Sequence, residues 1–256
     1  MPPKKKKGCA SKTGKKLPLT TPGPLLDSSN AKRLILIRHG ESEGQAAKMQ
    51  GLDRQRDSSL IDCGLTRRGA GQASKIPTML RSIVDSIDIV FTSPLLRALE
   101  TTLRGFQQLA APVIVHYGIR EIGSRIPENR VRSVEAVYRD LATLNLAKLE
   151  DVDFETLKPE VWPDSGGESL DRASRNTNIS NFLKYISDVR DERTIVVVCH
   201  YNVIRAVVGD VVRPENAMPI GCWLGEGGAV NLATDQREFF TPQSASAGAR
   251  TSKGET

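Results

Sequence analysis

Four stretches of this chain carry a short apolar run into residues able to handle a charged oxygen. Leu34-Ile35-Leu36-Ile37 leads into Arg38-His39-Gly40, and Thr194 to Cys199 leads into His200. Phe91-Thr92-Ser93-Pro94 is followed closely by Arg97, and a further run precedes Arg120-Glu121. Arginine forks, two imidazoles and a carboxyl group suit phosphoryl transfer. A phosphate monoester carries close to two negative charges, and its loose transition state spreads them over equatorial oxygens that arginine and a donating histidine can hold. A neutral imidazole is a competent nucleophile near neutral pH once its other ring nitrogen is fixed on a carbonyl. His39 is thus the candidate nucleophile, with Arg38, Arg97 and His200 as candidate phosphate ligands. Glu121 is the candidate proton donor to the leaving alkoxide, because a phosphate dianion beside it favours the neutral acid. The arginines supply the positive charge that a metal provides elsewhere, so no metal or other cofactor is expected.

Bringing these groups to one edge requires parallel strands. Strand-like runs at about 33–37, 88–92, 112–116 and 194–198 alternate with helical periodicity, and weaker runs lie at 228–233 and 237–240. The alternation predicts an α/β fold with parallel βαβ units and helices on both faces of the sheet. In such sheets the loops at the carboxyl ends of the strands build the ligand crevice. A helix from Thr66 stripes Ala70, Ala73, Ile76, Leu80 and Ile83, with Pro77 set to kink or break it. A second from Ser93-Pro94 aligns Leu95, Leu96, Leu99, Leu103 and Phe106. A third near 132–149 aligns Val134, Val137, Tyr138, Leu141 and Leu144, and a fourth near 168–189 aligns Leu170, Ala173, Ile179, Phe182, Leu183 and Ile186.

With 256 residues and 39% hydrophobic content, the chain can build one substantial core. A single domain is expected over residues 32–240, with a disordered lysine-rich tail at 1–31 and a second disordered tail at 241–256. The net charge of +6 is misleading about partners, because residues 1–32 hold eight lysines and one aspartate, contributing +7 and leaving about −1 elsewhere. The lysine tail alone suggests nucleic-acid contact, nuclear import or attachment to anionic membranes. No apolar run approaches the ~20 residues of a membrane span, and the lysines precede no apolar secretion segment. A cytoplasmic location is expected, with the nucleus a second compartment if the tail acts as an import signal. Cys9, Cys63, Cys199 and Cys222 are scattered without a C-x-x-C pair, a pattern suited to a reducing compartment. His116 reads as structural and Glu168 as either a helix cap or a substrate contact. Arg54, Arg56, Arg125, Arg130 and Arg132 lie in loops flanking the crevice, either as solvated charges or as contacts to extra anionic groups on a substrate.

The ordered series of motifs resembles the histidine phosphatase superfamily, the phosphoglycerate-mutase-like phosphatases. Arg38-His39-Gly40-Glu41-Ser42 resembles the family's nucleophile motif, and Leu65-Thr66 with Gly69, Gln72 and Ala73 its leucine-threonine-glycine-glutamine segment. Thr92-Ser93-Pro94 with Arg97-Ala98 and Glu100-Thr101-Thr102 resembles the second-arginine motif. Arg120-Glu121 sits at the proton-donor position, Gly167-Glu168-Ser169 resembles a further family segment, and His200 takes the second-histidine position before Val203-Ile204-Arg205. The resemblance implies a three-layer α/β/α sandwich and a phosphohistidine intermediate on His39. The chain departs from the pattern at three places. Gln45 stands where a phosphate-binding asparagine is frequent, Tyr201 where glycine is common, and Ile122-Gly123-Ser124-Arg125-Ile126-Pro127 replaces the usual continuation after Glu121. Gln45 and Tyr201 are therefore candidate substrate-binding positions alongside Arg38, Arg97 and His200. The expected function is a phosphatase acting on a phosphorylated small molecule or phosphoprotein. The alternatives are a phosphoglycerate mutase and a catalytically weak phosphate- or phosphoprotein-binding module.

Overall fold

The computed structural model describes residues 31–121, 126–154 and 172–241. Residues 1–30 and 242–256 of the expected tails, Arg125 and the Gly167-Glu168-Ser169 segment lie outside the described residues.

The Leu-Ile-Leu-Ile run is apolar at every position, so it suits a strand covered on both faces. It forms β1 (Lys32–Arg38) in the interior of a sheet. The other strands are β2 (Ile89–Thr92), β3 (Val113–Val115), β4 (Val152–Asp153), β5 (Thr194–Cys199), β6 (Pro219–Leu224) and β7 (Val230–Leu232). Their order is β4-β3-β2-β5-β1-β6-β7. β1 to β5 run parallel, whereas β6 pairs antiparallel with β1 and with β7.

Alternation along the strands divides the core into two layers. Leu34, Leu36 and Val197 meet Phe182 and Ile186 of α6 (Arg172–Asp188) and Val203 and Ile204 of α7 (Tyr201–Val208). Ile35, Ile37 and Val198 meet the opposite layer, where Ile76 of α3 (Ile76–Met79) follows α2 (Arg67–Ala73), and Ala98 belongs to α4 (Leu96–Gly105). Thr66 caps α2, and the expected single helix breaks before Pro77, which opens α3. A third cluster joins Leu99 and Leu103 of α4 to Val137 and Leu141 of α5 (Val134–Thr143). This is the three-layer α/β/α sandwich with a mostly parallel sheet. Among the described residues, no helix is long and apolar enough to cross a membrane.

Several boundaries differ from the sequence expectation for identifiable reasons. The second helix begins at Leu96 and not at Ser93-Pro94, because the carboxylate of Asp62 accepts the Leu96 amide (2.8 Å) and supplies the cap from another part of the chain. The third helix stops at Thr143; Asn145 adopts a left-handed φ of 49°, and a 3-10 turn follows over Ala147–Asp151. Residues 237–240 are not a strand: Asp235 accepts the amides of Arg237 and Glu238 and starts α8 (Gln236–Phe239). Phe239 and Phe240 gave the run its strand-like composition, but Phe239 packs on Gly221 of β6, where a Cβ would lie 2.3 Å from its ring. The proline and glycine in β6 hid that strand from pattern reading. α1 (Glu43–Met49) completes the element list near the end of β1.

Phe91 sits under the centre of the helical layer, edge-on to Phe182 at 5.3 Å, with no exposed surface. Phe91→Ala is expected to cost about 3–5 kcal/mol of folding free energy. Urea denaturation checks this, and a loss below about 1 kcal/mol would contradict the packing described.

Candidate functional site

The strand register sets the site before any side chain is considered. Arg38 is paired with Cys199, so the next residues, His39 and His200, leave adjacent parallel strands together. Thr92 is paired with Val198, which sets Ser93 beside His200. The His39 amide donates to the Cys199 carbonyl (3.0 Å), and Asn216 Nδ2 donates to the His39 carbonyl (2.8 Å). His39 Nδ1 lies 2.7 Å from the Gly40 carbonyl, which can only accept, so Nδ1 carries the proton and Nε2 the lone pair. Arg97 Nε donates to that lone pair at 3.2 Å. Burial, followed by the charges of Arg97 and Arg38, holds the His39 pKa well below 6.5. The ring is neutral, in one tautomer, with its basic nitrogen toward a guanidinium.

The loop after β1 is braced by the Leu65-Thr66 segment. A Cβ on Gly40 would lie 2.5 Å from the Gly69 carbonyl oxygen, and one on Gly69 would lie 2.0 Å from that of Glu41. Only glycine permits this approach. The Glu41 amide donates to Gln72 Oε1 (2.8 Å), Thr66 Oγ1 donates to Glu41 Oε1 (2.9 Å), and the Gly40 amide donates to the Thr101 hydroxyl (2.9 Å).

Arg97 has only 2% of its surface exposed. Its Nη1 donates to the Glu128 carbonyl and its Nη2 to Asn129 Oδ1 (2.8 Å). Glu100, the neighbour that a surface ion pair would use, instead approaches Arg104 (3.9 Å) and the Leu65 amide (3.4 Å). Arg38 donates from Nη1 to the Pro214 carbonyl (3.1 Å) and lies 5.1 Å from the Tyr201 ring centre; its buried Nε has no hydrogen-bond partner. Among the described residues, neither guanidinium has a carboxylate within ion-pair distance. A buried and a half-buried cation whose hydrogen bonds go to neutral oxygens favour an incoming anion.

His200 is fully buried, its ring centre 5.2 Å from that of His39. Its Nε2 lies 2.7 Å from the Ser93 hydroxyl and its Nδ1 has no hydrogen-bond partner. Burial, then Arg97 and His39, lowers its pKa well below 6.5. Glu121 is buried and its Oε2 accepts the Asn202 amide in the first turn of α7 (3.2 Å). Arg38, His39, Arg97, Glu121, Gln45 and Tyr201 all line one cleft of about 460 Å³. The Gln45 amide is engaged: Oε1 accepts from the Ser42 amide (3.2 Å) and Asn216 Nδ2 (3.1 Å), and Nε2 donates to Asn216 Oδ1 (3.3 Å). Tyr201 is held between Arg38 and Arg205, the latter 5.5 Å from its ring centre.

The loop arginines separate. Arg54 lines the cleft and pairs with Glu128 at 2.5 Å. Arg56 is exposed beside Asp53 (3.7 Å), Arg130 is exposed, and Arg132 is tied to Asp62 (3.5 Å) and Asp140 (2.7 Å). His116 lies one residue beyond β3, where its Nδ1 accepts the Gly118 amide (3.0 Å) and its ring meets Phe182 at 4.7 Å. Burial pushes its pKa down to about 4, in keeping with a structural role. Sequence reading missed Glu128, Asn129 and Asn216 because their partners are remote in the chain and no local pattern marks them. Ser93 was legible as a helix cap and as part of the second-arginine motif, not as the partner of His200.

The profile of the histidine phosphatase superfamily (branch 1) matches residues 34–222. The chain belongs to this superfamily. Over 211 residues it is 28% identical to the 2,3-bisphosphoglycerate-dependent phosphoglycerate mutase of Gloeothece citriformis, covering 73% of this chain and 86% of that one. The fold matches the alpha-ribazole phosphatase of Shigella flexneri with a TM-score of 0.51 at 22% identity, over 78% of this chain and 94% of that one. It also matches the ecdysone phosphate phosphatase of Bombix mori, solved with tungstate, with a TM-score of 0.53 at 16% identity, over 88% and 97% of the two chains.

In this histidine phosphatase superfamily member, Asp62 fastens the helix that carries Arg97. Its backbone is left-handed (φ 45°), its carboxylate caps α4, and its amide donates to the Pro127 carbonyl (3.2 Å). Burial raises its pKa to about 7, against the opposing effects of the Leu96 amide, Arg97 and Arg132. Between 3.8 and about 7 the folded protein therefore keeps a proton that the unfolded chain releases. This group's stabilising contribution is full below the unfolded value and fades as pH rises through the folded one. Relative to wild type, Asp62→Asn is expected to gain up to about 1.4 kcal/mol per pH unit across that window. Urea titrations at pH 5 and pH 8 measure the gap, and a gap that does not widen would refute the assignment.

Proposed function

We propose that this chain is a phosphomonoesterase that works through a phosphohistidine on His39 and needs no divalent ion. The observation that carries the reading is the fixed neutral tautomer of His39, with Nε2 opposite a guanidinium in a cleft where, among the described residues, Arg38 and Arg97 have no carboxylate within ion-pair distance. A phosphoryl group enters against Arg38 and Arg97, and the His200 Nδ1–H donates to one of its oxygens. The Nε2 lone pair attacks phosphorus in line; the N–P bond forms as the P–O ester bond breaks. The Glu121 carboxyl gives its proton to the leaving oxygen. Water then attacks the phosphohistidine, its proton passing to the Glu121 carboxylate, while the N–P bonding pair returns to Nε2 and phosphate departs. Gln45 and Tyr201 shape the wall against which the leaving group rests.

Likeness to phosphoglycerate mutases supports a second reading in which the phosphohistidine returns its group to substrate. That chemistry needs a bisphosphorylated primer, and isomerisation of 3-phosphoglycerate stimulated by 2,3-bisphosphoglycerate, with little phosphate released, would identify it.

Brief reaction with a labelled phosphomonoester, acid-free quenching and peptide mapping should place the label on His39. His39→Ala should remain folded and lose at least about 10³-fold in kcat. Chelation of divalent ions should leave the wild-type rate unchanged. Turnover retained by His39→Ala would end the proposal.

A further inference from the structure

A buried arginine is ordinarily balanced by a carboxylate, which meets its fork with two parallel hydrogen bonds. Arg97 is balanced otherwise. Besides the Nε bond to His39, its terminal nitrogens donate to the Glu128 carbonyl and to Asn129 Oδ1. Guanidinium offers only donors, so the amide of Asn129, itself 4% exposed, must present its oxygen here. Two carboxylates nearby are drawn elsewhere: Glu128 Oε1 to Arg54 (2.5 Å), and Asp62 to the Leu96 amide (2.8 Å) and Arg132 (3.5 Å). The 3-10 turn Pro127–Asn129 that presents both oxygens is anchored by the Asp62 amide on the Pro127 carbonyl (3.2 Å). The turn thus offers Arg97 a backbone oxygen and an amide oxygen while its own acidic side chain faces another cation.

We propose that Asn129 and the Glu128 carbonyl form a charge-neutral cradle that positions Arg97 without neutralising it, so that the absence of charge on Asn129 sets the affinity of the cleft for oxyanions. The inference rests on the reading that this cleft receives a phosphoryl group. Aspartate at position 129 has nearly the same shape as asparagine but would satisfy the Arg97 charge before any ligand arrived. It would also weaken the positive field at His39, where the facing charged groups are Arg38 and Arg97, with the His200 ring alongside. Asn129 is accordingly a positioning residue, touching Arg97 and not the substrate.

Calorimetric titration with tungstate tests the cradle without requiring turnover. Asn129→Asp is expected to bind tungstate at least about tenfold more weakly than wild type, whereas Asn129→Ala, which removes the hydrogen bond but adds no charge, should stay within about threefold. Histidine-ring NMR, simplified by only three histidines in the chain, should show His39 protonating at higher pH in Asn129→Asp than in wild type. If that variant does not fold, Asn129→Glu brings a carboxylate to the same guanidinium and should show the same loss. Equal affinity in the acidic variants and wild type, or an equal loss in Asn129→Ala, overturns the cradle while leaving the phosphatase reading intact. Wild-type protein that binds tungstate in this charge-dependent way but hydrolyses no phosphomonoester keeps the cradle and removes the phosphatase reading. No tungstate binding by wild type removes both.

Discussion

Two guanidinium groups, one buried and one half-buried, beside a neutral imidazole form the constraint around which the molecule is arranged. Like charges repel more strongly as water is excluded, and each cation loses hydration on burial. The fold meets both costs with oriented neutral oxygens: the Pro214 carbonyl for Arg38, and the Glu128 carbonyl and Asn129 amide for Arg97. These supply hydrogen bonds without removing the charge. His39 is kept neutral first by its own burial and then by the same field, because protonating it would add a third positive charge next to Arg97 and Arg38. The fixed tautomer is therefore a consequence of the cation arrangement as much as of the Gly40 carbonyl.

Holding that arrangement requires backbone contacts too close for side chains. Gly40 and Gly69 let the loop after β1 lie directly against the start of α2, and Thr66 and Gln72 then bond Glu41 from that helix. The motif segments far apart in sequence are thus two sides of one contact, and their spacing is set by the crossing. The same logic joins β1, β2 and β5: parallel register alone brings His39, Ser93 and His200 to one edge.

What was legible in the sequence follows from which interactions are local. β1 and β5 announce themselves because strands buried on both faces must be apolar throughout, and Thr66 caps its own helix. The start of α4 was misplaced because its cap, Asp62, lies 34 residues away, and Ser93 is free to serve His200 for the same reason. β6 was hidden by Pro219 and by Gly221, whose missing side chain makes room for Phe239, while the aromatic pair of α8 imitated a strand. The residues that gather at the cleft were recognisable by type and by position at strand ends. Glu128, Asn129 and Asn216 carried no such mark, since each acts through contacts that exist only after folding.

The departures at Gln45 and Tyr201 acquire a physical meaning in this setting. Gln45 is one methylene longer than asparagine, and its amide folds back to the N-terminus of α1, where Asn216 meets it in a reciprocal pair and also bonds the His39 carbonyl. The longer side chain thus joins the scaffold behind His39. Tyr201 stacks between Arg38 and Arg205, limiting the rotation of Arg38 while adding an aromatic wall to the cleft. Neither change removes positive charge from the position opposite His39 Nε2. Both alter what surrounds that position, so the cations beside His39 and the wall of the cleft can vary separately on this framework.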